Sequence, residues 1–171
     1  MDFDFLSADE LRALHADPKS RALCFRSHSK AIQPNDQTAL ILDQTDEGLL
    51  QKTRADFFLA YSADLALSHW AAHQDKIHAL VLDLSAHVLA FDKPIARVAM
   101  DHRVTIGIFF AELLRVPSHE QVKRLSKLFL ARRICAHAQV PFRVFSGAQN
   151  PFEWRTPEEL AFFQSWLESM A

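Results

Sequence analysis

Six short, β-prone apolar runs recur along the chain with helix-like stretches after most of them, and this alternation leaves few folds open. The runs are Ala22 to Arg26, Ala39 to Asp43, Asp56 to Tyr61, Ala79 to Asp83, Val104 to Phe110 and Phe142 to Phe145. They are continuous rather than alternating, the pattern of strands buried on both faces. Asp46 to Arg54, Ala63 to His73, Lys93 to His102, Ser118 to Gln139 and Pro157 to Met170 instead place apolar residues at three- and four-residue intervals. Strand and helix in alternation with short connections predict an α/β protein with a parallel sheet and right-handed crossovers. A full eight-fold barrel normally takes roughly 200 residues or more. With 171 residues, a barrel made from this chain is expected to be incomplete or open. Nothing Pro-, Gly- or Ser-rich interrupts the pattern, so residues 1–171 are read as one domain.

Several function classes are excluded early. The three glycines, Gly48, Gly107 and Gly147, are too far apart to build GxGxxG or a phosphate-cradling P-loop. The two cysteines, Cys24 and Cys135, make no CxxC pair and no four-cysteine zinc site. The start, Met-Asp-Phe-Asp-Phe-Leu, lacks the charged and apolar regions of a secretory signal, and no apolar run is long enough for a membrane span. A cytoplasmic location is expected.

Charge is unevenly distributed. Residues 1–101 carry 10 Lys/Arg against 15 Asp/Glu, residues 102–145 carry 8 against 2, and residues 146–171 carry 1 against 4. A basic block thus sits inside an otherwise acidic chain of net charge −2. Within it, Lys123, Arg124 and Lys127 fall on one side of a predicted helix and Val122, Leu125, Leu128 and Phe129 on the other, which predicts a cationic outer face. Such a face is either merely solvated or a contact for RNA phosphates. Arg132 falls in the apolar arc and must snorkel or meet an acid, with Asp83 and Glu112 as candidates.

In parallel α/β folds the reactive groups gather just past the carboxyl ends of strands. Here those positions are Ser27, His28, Asp43, Tyr61, Asp83, Glu112 and Ser146. His28, Asp43, Asp83 and Glu112 are a conceivable ligand set for a hydrolytic metal. Acids at strand ends more often cap helices or meet arginines, and no HxH pair accompanies these. His69 and His73 have zinc-binding spacing, but Trp-Ala-Ala between them supplies no general base. Ser146 lies in a turn without the GxSxG elbow. No catalytic or metal residue is therefore assigned.

The segment from Pro141 to Leu160 reads as strand, loop and helix: a strand ends at Phe145, Ser146-Gly147 turns the chain, and Thr156 N-caps a helix with Pro157 first and Glu159 completing a capping box. It also resembles the closing motif of the archaeal and eukaryotic ribonuclease P protein component 3 family, the subunit of about 30 kDa. The matching residues are Ser146-Gly147-Ala148 and Arg155-Thr156-Pro157-Glu158-Glu159-Leu160. The upstream strand Val104 to Phe109, Leu113-Leu114 and the long basic helix follow the family order, so the resemblance spans roughly residues 56–165.

That resemblance implies a TIM-like barrel related to the PHP phosphoesterases, acting without an active site of its own. It implies a non-catalytic ribonuclease P subunit that binds the catalytic RNA together with a small ferredoxin-like protein, component 2. Precursor tRNA would be met indirectly, and Mg²⁺ would belong to the RNA, with no cofactor on the protein. The expected RNA contacts are Lys123, Arg124 and Lys127, with Arg103 and Arg115, and Arg143 in reserve. The alternatives are a PHP-like metal-dependent phosphoesterase, or a protein-binding module using Trp154, Phe162, Phe163 and Trp166.

Overall fold

The computed structural model describes residues 4–5, 21–24, 38–52, 55–148, 152–153 and 155–170. His28 and Trp154 lie outside them. The strands are β1 (Asp4–Phe5), β2 (Arg21–Cys24), β3 (Thr38–Leu42), β4 (Phe57–Ser62), β5 (Ala79–Leu82), β6 (Thr105–Phe109) and β7 (Phe142–Phe145). The helices are α1 (Glu47–Lys52), α2 (Leu65–Ala72), α3 (Lys93–Asp101), α4 (Ala111–Leu114), α5 (Ser118–Ala138) and α6 (Pro157–Ser169). One sheet holds all seven strands in sequence order.

From β3 to β7 every neighbouring pair is parallel, as the alternation predicts. The expectation of a wholly parallel sheet fails at the other side, where β1 and β2 pair antiparallel and β2 runs antiparallel to β3. A parallel neighbour needs a crossover, usually helical, whereas an antiparallel one does not. Among the described residues β7 pairs only with β6, leaving its far side without a strand.

The pleat divides the strand residues between two faces. Leu40, Leu42, Phe58, Leu80, Leu82, Ile106, Ile108, Phe142 and Val144 belong to one core with Leu50, Ala71, Ile95, Ala96, Ala99, Leu128, Ala131, Leu160 and Leu167 from the helices. Ile41, Leu59, Ala79, Val81, Phe109 and Phe145 form a second cluster to which no described helix contributes. Consecutive parallel strands joined by crossovers of one hand put their helices on one side, which leaves the opposite face to strand residues alone.

Local chemistry marks the helix starts. Asp64 accepts the Leu67 N–H at 2.9 Å to cap α2, and Asp92 accepts the Ile95 N–H at 2.9 Å to cap α3. The predicted capping box of α6 is present: the Glu159 N–H donates to Thr156 Oγ1 and the Thr156 N–H to Glu159 Oε2. Two helix ends place a non-glycine residue in the left-handed region, Arg103 after α3 and Gln139 after α5. No helix among the described residues is long and apolar enough to cross a membrane.

Candidate functional site

The carboxyl ends of β4, β5 and β6 bring Tyr61, Asp83 and Glu112 together. Tyr61, next to last in β4, packs with the second cluster, its ring stacked on Phe109 with centroids 5.6 Å apart. Its hydroxyl lies near the carboxyl groups of Glu112 and Asp83. Burial, then the charges of those two acids, raise the tyrosine pKa, so it stays a proton donor. Glu112 is carried by the four-residue helix α4 and is buried. Its Oε2 accepts the Leu84 N–H at 3.3 Å. Burial pushes its carboxyl up to about 7; the nearby Tyr61 hydroxyl opposes this, the Asp83 charge adds to it, and the Leu84 N–H and Arg124 oppose it. Asp83 Oδ1 accepts the Ser85 N–H at 2.7 Å.

The cations of α5 support this cluster rather than facing outward as the periodicity predicted. Arg124 Nη1 donates to the Glu112 carbonyl at 2.7 Å. Lys127 Nζ donates to the Leu84 carbonyl at 3.0 Å and also to that of Ala86. Both residues are half-buried and hold the loops that follow β5 and β6. Period alone gives a residue's angle around a helix, not the loops that arch over it. Only Lys123 of the three is exposed, and it pairs with Glu120 at 2.7 Å. The cation beside Glu112 is Arg124, while Arg132 lines a small cleft with Phe129, Leu130, Leu167 and Met170.

Arg115 organises the loop after β7. Its Nε and Nη2 donate to Glu153 Oε1 and Oε2 at 2.8 and 2.5 Å, and Nη2 reaches the Gly147 carbonyl at 3.0 Å. A bidentate guanidinium–carboxylate pair fixes orientation as well as distance. Glu153 was not singled out from the sequence, because its partner lies 38 residues away. Ser146, Gly147 and Ala148 are buried beneath this clamp. Gly147 has φ +61°, and a Cβ there would come within 2.6 Å of Phe109. Arg155 Nη1 donates to the Phe152 carbonyl at 3.3 Å, and Pro157 is the first residue of α6.

The remaining candidates fall elsewhere. Asp43 is exposed just past β3. Among the described residues no group of three His, Cys, Asp or Glu side chains is arranged to hold a metal. The His69 and His73 rings lie 4.4 Å apart, and His73 Nδ1 is 2.8 Å from the His69 carbonyl, the contact expected at a helix end. Phe163 packs on Phe110 and Trp166 on Phe129, whereas Phe162 is exposed. Cys135 is a buried core thiol pushed up to about 12 by burial. Arg103 is exposed before β6.

The strand-end site thus consists of a tyrosine hydroxyl between two carboxyl groups, one titrating near neutrality, braced by cations bound to backbone carbonyls. No protein-family model matches the sequence, and no curated protein matches it. Solved structures do match: one is a chain from the cryo-EM structure of an archaeal ribonuclease P with mature tRNA, with a TM-score of 0.64 and 19% identity over 75% of this chain. The chain spans 59% of the length of that one. At this identity the likeness is one of fold, an α/β architecture whose five parallel strands alternate with helices, consistent with a TIM-like fold.

Proposed function

We propose that the chain is a non-catalytic protein subunit of a ribonuclease P, of the component 3 type, that binds and stabilises the RNA which removes the 5′ leader from precursor tRNA. The observation that carries this reading is the fold likeness to a chain of archaeal ribonuclease P. It is supported by the strand, loop and helix of Ser146-Gly147-Ala148 to Arg155-Thr156-Pro157, whose loop is held by Arg115 and whose helix is capped by Thr156. The partners on this reading are the ribonuclease P RNA and a small ferredoxin-like protein, with Mg²⁺ held by the RNA. Arg115, Arg124 and Lys127 act as braces of the strand-end loops, and the phosphate contacts fall to Lys123 and Arg103.

Tagged protein purified from its own cells should bring down one structured RNA and a small protein, and the mixture should process precursor tRNA in Mg²⁺. A second reading, a PHP-like metal-dependent phosphoesterase, draws on the meeting of Asp83 and Glu112 at the strand ends. Turnover of precursor tRNA or of a phosphate ester by the protein alone, lost in Asp83→Asn, would replace the first reading by the second.

A further inference from the structure

Away from the Tyr61 cluster, a groove of about 990 Å³ runs between the start of β6, the free side of β7 and helix α6. Its volume lies at the upper end of the roughly 300–1,000 Å³ typical of ligand sites. Arg103 and Arg143 both line it, both are exposed, and neither has an ion pair or a side-chain hydrogen bond among the described residues. Of the two acids on its rim, Asp75 is held by His102 Nδ1 at 2.8 Å, which leaves Asp101. The lining is mixed: Phe57, Leu59 and Phe145 on the sheet and Leu160 on α6 alternate with polar side chains such as His78 and Thr105. Arg103 stands at φ +58° directly after the α3 C-cap, a position where glycine is the unstrained residue. Gln139 takes the same conformation at the end of α5; what sets Arg103 apart is that it shares one groove with Arg143.

We infer that this groove binds a short stretch of single-stranded RNA, with phosphates on Arg103 and Arg143 and a base on the exposed His78 ring, which is set edge-on to Phe57. The inference rests on the RNA-binding reading above and gives it a site. Guanidinium groups match phosphate oxygens in a fork and lie flat on bases. A concave wall with π faces suits unstacked bases, which a duplex keeps inside its stack. An extended peptide would need the free edge of β7 for its backbone. Gln164 already occupies that edge, accepting from the Val144 N–H and donating to the Phe142 carbonyl.

The test uses the full chain and fluorescent decauridylate, with an RNA duplex of equal length as control. The variants are Arg103→Asn, which keeps a residue tolerant of the left-handed region, Arg143→Gln, and both together. Each single change should weaken decauridylate binding roughly tenfold and reduce the salt slope by about 0.7, with duplex binding weaker and unchanged. Photo-crosslinking of thiouridine-substituted decauridylate to the unaltered protein should label peptides containing Phe57 or His78, a readout that needs no variant. No binding of decauridylate, unchanged affinity in the double variant, or crosslinks confined to other peptides would overturn the groove assignment. Capture of ribonuclease P RNA measured in parallel separates the two claims. If that capture persists while decauridylate fails, only the groove falls; if decauridylate binds through both arginines and ribonuclease P RNA is not captured, only the subunit reading falls.

Discussion

Gln164 on α6 is joined to Val144 on β7 through the strand's own backbone: Gln164 Oε1 accepts the Val144 N–H at 3.0 Å. Its Nε2 donates to the Phe142 carbonyl at 2.6 Å and also meets Glu168 at 3.1 Å. One side-chain amide thus satisfies two of the outward backbone groups that an eighth strand would have paired. An open edge is a template for association, and covering it is one way in which sheets avoid that.

Gln164→Leu should therefore do two things. Leaving the Val144 N–H and Phe142 carbonyl without their partner should cost about 1–3 kcal/mol, a fall of several degrees in Tm for a chain of this size. The bared edge should also promote self-association, seen in light scattering. An unchanged Tm with a monodisperse sample would show that the amide is incidental to the edge.

Gly107 leaves room for the Phe145 ring on the second face of the sheet. A Cβ at Gly107 would come within 2.5 Å of Phe145 Cε2 and 2.9 Å of the Arg143 carbonyl. Gly107→Ala should destabilise the protein by about 1–3 kcal/mol through overpacking. Combining it with Phe145→Leu should recover part of the loss in a double-mutant cycle. Additive losses would contradict the packing account.

Glu112 sets a pH dependence whose sign is determined by burial. Its carboxyl rises from 4.5 to about 7 on folding, so between those values the folded state holds a proton that the unfolded state has released. Stability from this group is full below about pH 4.5, falls as pH rises toward 7, and is lost above it, on the order of 3 kcal/mol in all. Glu112→Gln should flatten this part of the Tm-against-pH curve and raise Tm near pH 8. A variant curve parallel to that of the parent would assign the titration to another group.

Lys127 and Lys123 differ although both are lysines on α5. Lys127 holds the carbonyls of Leu84 and Ala86, whereas Lys123 makes an exposed pair with Glu120. Lys127→Ala should cost about 1–3 kcal/mol, and Lys123→Ala no more than about 0.5 kcal/mol. Changing Lys123, Arg124 and Lys127 together to Ala should then lower Tm as well as any RNA affinity. Chemical denaturation of the three proteins decides this, and equal midpoints would return Lys127 to a solvated face.

The strands from β3 onward were legible because each is a continuous apolar run buried on both faces, a property local to about five residues. The α6 capping box was legible for the same reason, since Thr156, Pro157 and Glu159 act on one helical turn. The reversal of β2, the joining of Tyr61 to Glu112 and the clamp of Arg115 on Glu153 were settled only in three dimensions. Each brings together groups from separate strands and loops, and no periodicity reports which loop will lie above which helix. Arg124 and Lys127 show the limit most clearly: the helical wheel separates them from the apolar stripe, yet the loops after β5 and β6 fold over them and offer carbonyls. A cation's angle on its helix is local sequence information, while what it faces depends on the whole packed chain.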